Sequence, residues 1–401
     1  MPRYVLDDAK NVEDPYPVYQ RLREYGPVCR GGPGQWVFSR HAEVSALLRD
    51  PRLGREYPEQ YQAMSIGQGP ANDYLQRIII NRDGGAHVRL RRLLTKSLTP
   101  AMVRSLAEPI GALVDGLLDR LAEREAWDLV TDLAVPVPML VMSELLGIPE
   151  ADRDMVARWS TSLAAAFAVF IPEEKRREAH EAVVRLREYF TDLVRERRRR
   201  PGEDLLSRML MAVRDGTEPL TDEEIVDNAL FVYYAGFETT TNVIATGGSV
   251  LLTQPDAQRR LRAEPDIVAT ALEEFMRFDA PIQATSRLVL EPVEIAGRTV
   301  RAGRVVVLLL GSANRDASVF EDPDRLDLTR SPNPHVSFGG GVHLCLGAAL
   351  ARVEGAVVFR RLLARFSDIG AAGPARWSPS SGGFRFPYWA YEEMPVTAVP
   401  S

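Results

Sequence analysis

The sequence predicts a mainly α fold with a minor β component, and three observations carry that reading. Apolar residues recur at i, i+3, i+4 spacing from about residue 86 onward; strand-like runs are few and short; prolines and glycines fall singly between periodic segments, as short loops require. The periodicity predicts helices near 87–97, 102–123, 132–146, 152–169 and 173–200. The clearer strand candidates are Trp36-Val37-Phe38, residues 286–290 and Val293-Glu294-Ile295, with turn chemistry around Gly297. Residues 51–74, rich in Pro, Gly, Tyr and Gln, read as the longest irregular stretch, and long ordered loops often face ligands. Neither a tandem repeat nor a low-complexity linker appears, so one domain over 1–401 with two unequal lobes is expected.

Composition narrows the function. The 401 residues carry a net charge of −6, which argues against nucleic acid as the main partner. The run Arg195-Glu196-Arg197-Arg198-Arg199-Arg200 before Pro201-Gly202 reads as a solvated helix C-terminus, where cations complement the macrodipole. No apolar run of about 20 residues suggests a membrane span, and the first residues lack a signal peptide's apolar core, so a cytoplasmic enzyme is expected. Cys29 and Cys345 are the only cysteines, too few for a disulfide framework or a four-cysteine zinc site.

The most informative segment is Phe338-Gly339-Gly340-Gly341-Val342-His343-Leu344-Cys345-Leu346-Gly347. Three glycines permit positive φ and close approach to a flat ligand. Cys345 opens an apolar helical run over 346–366, where the dipole and free N–H groups would lower the thiol's pKa and tune its sulfur. The glycines are not a phosphate loop, since no Lys-Ser/Thr follows, nor a dinucleotide fingerprint, since no buried strand precedes them.

A second segment lies inside a long helix predicted over 222–253. Thr221-Asp222-Glu223-Glu224 is a capping box at its start, and Pro255 follows its end. Its middle, Ala235-Gly236-Phe237-Glu238-Thr239-Thr240-Thr241-Asn242, weakens the helix with a glycine and three β-branched hydroxyl residues. The threonines either bond back to preceding carbonyls and bend the helix, or form a groove where a carboxylate and a hydroxyl relay protons. Two charge patterns complete the set. Glu274 and Arg277 are i, i+3 neighbours, and His87 and Arg91 share a helix face at i, i+4.

These segments resemble the cytochrome P-450 family over essentially the whole chain. The cysteine segment matches the family's haem signature at Phe338, Gly339, Gly341, His343, Cys345 and Gly347. The helix segment is similar to its oxygen-activation motif. The resemblance implies a triangular prism with a helix-rich lobe and a smaller sheet-containing lobe, with haem b between them. Cys345 would be the iron's protein ligand, its thiolate favouring O–O cleavage. Thr239 would hydrogen-bond the bound dioxygen, Glu238 would help deliver protons, and Ala235 and Gly236 would leave room above the haem. His87, Arg91, Arg287 and His343 would meet the propionates. Glu274, Arg277 and Arg325 would form a structural network holding the loop before Cys345. Two departures stand out: Gly84-Gly85-Ala86 precedes the propionate histidine where the family has Pro-Pro-Glu, and residues 384–391 replace an Arg-Gly-Leu-like turn with aromatics.

The implied activity is monooxygenation of a small, largely apolar molecule, free or carrier-protein-bound, by hydroxylation or epoxidation in secondary metabolism. Dioxygen is the co-substrate, and electrons come from a separate ferredoxin-type or flavodoxin-type donor. Arg89, Arg92 and Lys96 are candidate docking charges for that donor. Oxidative coupling, peroxide-driven chemistry and a non-catalytic haem sensor stand as alternatives. A hydrolase built on Cys345 and His343 would need no haem. Segments 62–82, 163–183, 228–239, 280–286 and 384–391 are the candidate substrate walls, with residues 386–388 at the tip of the last.

Overall fold

The computed structural model describes residues 4, 14–168, 171–214, 220–377 and 391–401. Its axis is the helix Asp222–Thr253. The capping box forms in full: the Glu224 N–H donates to Thr221 Oγ1 at 3.1 Å, and the Thr221 N–H donates to Glu224 Oε2 at 2.9 Å. The helix is buried along most of its length because other helices pack on several sides. Small residues set those approaches. A Cβ on Gly236 would lie 2.5 Å from the Met142 sulfur of helix Pro136–Leu145, and Gly247 lies against the Phe359 ring of helix Ala348–Arg365. Buried Asp227 accepts from Arg77 at 2.6 Å and pairs with Arg187 at 2.8 Å, tying the axis to helices Pro70–Arg77 and Glu173–Arg199.

Several expected segments are subdivided, each for a local reason. The helix expected over 102–123 is two, Pro100–Ser105 and Ala107–Ala122, because Pro109 has no N–H to continue the ladder across the joint. Thr99 caps the first piece, accepting from the Met102 N–H at 3.3 Å. The helix expected over 132–146 begins at Pro136, after a π turn over Val130–Ala134. The helix expected over 152–169 tightens into a 3-10 turn at Ala164–Phe167.

Residues 51–74 are not irregular. They contain the helix Glu59–Ile66 and lead into Pro70–Arg77, with Gly67 and Gly69 at φ +83° and +123° between them. Only Ile66 of the first helix is buried, so that helix carries no apolar stripe in the sequence. His180 fastens the joint from helix Glu173–Arg199. Its Nε2 meets the Ile66 carbonyl at 3.0 Å, and its Nδ1 accepts from the Ala71 N–H at 3.2 Å.

The main sheet orders Val28–Arg30, Gln35–Phe38, Val305–Leu309, Ala284–Val289 and Leu53–Gly54. Gln35–Phe38 runs parallel to Val305–Leu309, with Val37 opposite Val307; the other pairings are antiparallel. Val305–Leu309 is buried at all five positions, the pattern of a sheet interior, which shows no alternation to read. The strand expected at 286–290 starts two residues earlier and ends at Val289. A hairpin pairs Val293–Ile295 with Arg298–Val300 through Ala296 and Gly297, both at positive φ. A further sheet joins Ala126–Asp128, Pro395–Pro400 and Phe366–Ala371. The helical lobe holds one large apolar cluster, and two smaller ones flank the main sheet.

Candidate functional site

The cysteine loop is shaped by two of its three glycines. Gly339 and Gly341 take φ +71° and +67°, whereas Gly340 is extended. A Cβ on Gly341 would come within 2.5 Å of the Leu48 carbonyl oxygen. The Cys345 N–H donates to the Phe338 carbonyl at 3.0 Å and closes the loop. The helix Ala348–Arg365 begins just beyond, and the Gly347 and Ala348 N–H groups are aimed at the sulfur. Cys345 stays accessible, although it lies deep among surrounding atoms. Burial pushes its thiol up and outweighs the two N–H donors and the guanidinia of Arg91 and Arg352, so the lowered pKa expected from the helix terminus does not hold for the protein alone. Coordination to a metal ion would reverse that balance, because a coordinating thiol is deprotonated.

Behind the loop stands a clamp that no local pattern announces. Glu273 accepts two bonds from Arg352, at 2.7 and 2.8 Å, and meets His335 at 3.0 Å. Burial alone would raise the Glu273 carboxyl, but Arg352 and His335 hold it near 2. The Arg352 guanidinium covers the Phe338 ring at 4.4 Å. The start of the cysteine helix is thereby locked to helix Val268–Phe278. Gly341→Ala adds left-handed strain and a backbone clash in the same loop. A stability loss of about 2–3 kcal/mol in urea denaturation is expected, and an unchanged midpoint would contradict it.

A second group forms one edge of the site. His87 is buried, and its ring packs on His343 with centroids 4.4 Å apart. Burial, with His343 and Arg91 adding to it, depresses the His87 ring to about 4. His343 Nε2 lies 3.2 Å from Asp83 Oδ1, while Asp83 Oδ2 accepts from the N–H groups of Arg55 and Glu56 at 2.7 Å each. Arg91 donates to the Leu344 carbonyl at 2.7 Å, one residue before the cysteine. Arg287 is only 3% exposed and donates to the Ser286 carbonyl at 2.8 Å and to Thr285 Oγ1 at 3.2 Å. It has no carboxylate in ion-pair contact among the described residues, and burial pushes its guanidinium down to about 9. A buried cation without a counter-charge costs several kcal/mol, so this edge is built for an anion. Arg55 joins it, donating to the same Thr285 hydroxyl at 2.7 Å, and Tyr57 donates to Ser286 Oγ at 2.7 Å. Nothing in the sequence marks Arg55, which sits in the stretch read as irregular.

On the central helix, Thr239 Oγ1 donates to the Ala235 carbonyl at 2.7 Å, and Thr241 does the same to Phe237 at 3.0 Å. The back-bonding alternative is therefore the observed geometry, yet the helix stays continuous. Glu238 lies deep in the protein while remaining partly accessible, and burial pushes its carboxyl up to about 7. No hydrogen bond or ion pair joins Glu238 or Thr239 to the cation edge among the described residues. They lie on the helix that packs against the cysteine helix at Gly247.

Two expectations, for Arg325 and Arg89, need correcting, and one residue has an added role. Gly236 presents its Cβ position to Met142, so its smallness also serves helix packing. The Arg325 side chain is not the third member of the buried network, which it joins only through its carbonyl, accepting from Arg277 at 3.4 Å and Arg330 at 3.3 Å. Glu274 binds Arg277 bidentately at 2.7 and 2.8 Å, and the inward arginine is Arg330, at 3.2 Å from both carboxylate oxygens. The Arg325 guanidinium is largely exposed and reaches Asp322 and Asp327, because its turn points the side chain outward. Arg89 is bound to Glu224 in the first turn of the central helix and is no free docking charge.

The candidate wall segments 62–82, 163–183 and 228–239 contribute to the same apolar cluster, with Phe167 stacked on Tyr234 at 4.7 Å and Phe231 beside it. Segment 280–286 belongs instead to the sheet lobe, through Ile282 and Ala284. Residues 384–390 lie outside the described residues; Tyr391 donates to Ser249 Oγ of the central helix at 2.8 Å.

The donor set fits a haem. Among the described residues no group of three or more His, Cys, Asp or Glu side chains could hold a metal ion. Iron bound through Cys345 would therefore need donors from a macrocycle. The guanidinia of Arg55, Arg91 and Arg287 and the two imidazoles outnumber the carboxylates of Asp83 and its neighbour Glu56, which suits two propionates.

Comparison with known proteins agrees. The family model described as Cytochrome P450 matches residues 20–369. The chain is 35% identical to the "Biotin biosynthesis cytochrome P450" of Bacillus subtilis (strain 168), over 96% of each chain. It is 38% identical to "Nocardicin C N-oxygenase" of Nocardia uniformis subsp. tsuyamanensis, again over 96% of each. Among solved structures, P450BioI in complex with a hexadec-9Z-enoic acid ligated acyl carrier protein superposes with TM-score 0.90 at 34% identity, covering 97% of this chain and 100% of that one. CalO2 superposes at 0.92 with 32% identity, covering all of both chains.

Proposed function

The chain belongs to the cytochrome P450 family and is a haem-dependent, oxygen-using monooxygenase, and we propose that it oxidises a small, largely apolar secondary-metabolite intermediate with electrons from a separate protein donor. The observation that carries this reading is the pairing of an accessible cysteine sulfur, facing two helix N–H groups, with an edge where the buried guanidinium of Arg287 lacks a carboxylate in ion-pair contact among the described residues. In this reading Cys345 is the protein ligand of haem b. Arg287, Arg91, His87 and His343 hold its propionates, with Arg55 as a fifth donor. Phe338 and Gly347 shape the loop on the sulfur side. The haem supplies activation of dioxygen for insertion of one atom into the substrate.

The protein's part is binding and proton handling. Thr239 donates to Ala235, which fixes the hydroxyl and leaves its lone pairs free to accept a hydrogen bond from above the helix. Glu238, with a carboxyl near 7, exchanges protons at neutral pH, as a general acid requires. The apolar walls from 62–82, 163–183 and 228–239 exclude water and favour an apolar substrate. Glu238→Gln is expected to lower turnover about 10²-fold and to flatten its pH dependence around neutrality. The sign for stability follows from the raised carboxyl. Its contribution is full below the ordinary carboxylate range and is lost as pH rises through about 7; the glutamine variant should lack that decline. A pH–rate profile of the variant superimposable on the parent's would remove Glu238 from proton delivery.

In this reading the electron donor docks on the outer face of helix Gly84–Ser97. A concavity of about 440 Å³ there is lined by His87, Val88, Arg91, Arg92, Thr95, Lys96 and Val342. Val88 and Val342 are 52% and 70% exposed, and Arg92 and Lys96 are exposed beside them. This apolar floor with a basic rim suits an acidic ferredoxin or flavodoxin. The double variant Arg92→Glu/Lys96→Glu should slow reduction by such a donor at least tenfold at low salt, with dithionite reduction unchanged; equal rates with the protein donor would discard the surface. Spectral titration with apolar candidates, free and tethered to a carrier protein, tests the substrate class.

A further inference from the structure

On the sheet lobe, apart from the residues assigned above, Arg30, Arg301 and Arg304 converge on a cleft of about 440 Å³ that Gly34, Trp36 and Thr299 complete. All three arginines are exposed, and none has an ion pair or side-chain hydrogen bond among the described residues. Exposed arginines elsewhere in the chain can find carboxylates, as Arg376 does with both Glu392 and Glu393.

The cluster is also held in place. The Arg30 guanidinium lies over the Trp36 ring at 3.7 Å, which restricts its rotamers. Gly34 turns at φ +74°, and a Cβ there would stand 3.0 Å from Arg304 Nη1, so the glycine admits that guanidinium to the cleft. Arg301 and Arg304 share one turn, closed by the Arg304 N–H donating to the Arg301 carbonyl at 3.3 Å. Glu294, opposite Thr299 in the hairpin, is the carboxylate closest in register, yet it does not line the cleft.

Each guanidinium offers five N–H donors in a planar fork suited to phosphate oxygens. Three such forks around one concavity repel one another unless a multivalent anion joins them. The cleft is concave and small, which suits a small ligand better than the flat face of a protein. We propose that this cleft binds a small polyphosphate-bearing anion, a di- or triphosphate group held by Arg30, Arg301 and Arg304. The group can come from a nucleotide or from free inorganic polyphosphate.

Calorimetric titration of the haem-loaded full chain with inorganic tripolyphosphate, ATP and adenosine tests this at fixed salt. Saturable binding of one tripolyphosphate and one ATP per chain, with none of adenosine, is expected. Tighter binding of ATP assigns the nucleotide as the source, and equal binding assigns the polyphosphate alone. Arg301→Glu/Arg304→Glu should weaken binding at least tenfold. Arg177→Glu/Arg185→Glu, the same charge change on the exposed face of helix Glu173–Arg199, should leave it within twofold. Arg30→Gln provides a second, gentler variant with its own expected loss, and an unchanged Soret spectrum and melting temperature show that each variant is folded. No saturable binding, several ions per chain, or equal weakening by the distant pair would overturn the proposal. So would binding of an acidic protein at these arginines without binding of tripolyphosphate.

Discussion

Cys345→Ala should abolish monooxygenation and the thiolate-type red-shifted Soret band of the reduced carbon monoxide complex, while leaving the polypeptide folded. The two halves of that expectation have different physical grounds. Cys345 is the accessible cysteine, and Cys29 is buried in a separate apolar cluster beside the sheet, so no second thiolate is at hand to give the red-shifted band. The fold does not depend on the sulfur. The loop is closed by the backbone bond from Cys345 N–H to Phe338, which alanine retains, and by the Glu273–Arg352 clamp. Absorbance spectroscopy with carbon monoxide reads the first half, and far-UV circular dichroism with thermal melting reads the second. Cys345→Ser is the sharper control, since it keeps the volume and accepts the same two N–H bonds. A red-shifted band in either variant would show that the ligand is another residue.

The parts of this molecule that were legible in the sequence are those whose causes are local. The capping box at Thr221, the proline after Thr253 and the spacing within the cysteine loop act over a few residues, so the central helix and the loop can be read directly. Of the four residues proposed for the haem edge, His87 and Arg91 are one helical turn apart and can be paired from spacing, whereas Arg287 and His343 come only from the family resemblance. What escaped depends on contacts distant along the chain. Arg55 reaches Thr285, and Glu273 reaches both His335 and Arg352, and no periodicity encodes such meetings. The choice between Arg325 and Arg330 turns on which side chain of a loop faces inward, and both have the same chemistry. The helix Glu59–Ile66 has almost no buried side, and Val305–Leu309 has no exposed one; in either case periodicity is silent.

Glu274→Ala is expected to be the most destabilising single substitution outside the apolar core, by about 3–5 kcal/mol, a large share of the roughly 5–15 kcal/mol that holds a domain together. The carboxylate is fully buried and accepts from five groups: both sides of the Arg277 fork, Arg330 Nε, the Asp327 N–H and Asn333 Nδ2. Alanine leaves a fully buried guanidinium without its counter-charge and strands the other donors. Glu274→Gln keeps the shape but removes the charge and one acceptor, so it should fall between the two. The informative variant is Glu274→Leu/Arg277→Met. Removing both charges together should recover part of the stability lost by the single substitution, because an apolar pair can replace a buried ion pair at little net cost. Haem retention should not recover with it. Arg277 also donates to the carbonyls of Asn314 and Pro323, both at 2.8 Å, and Arg330 reaches the Glu321 carbonyl at 2.8 Å, so the network fixes the path of the chain that leads to Phe338. Urea denaturation of the apoprotein and haem transfer to apomyoglobin separate the two effects. If haem is retained as tightly in the apolar double variant as in the parent, the network contributes stability alone and does not position the cysteine loop.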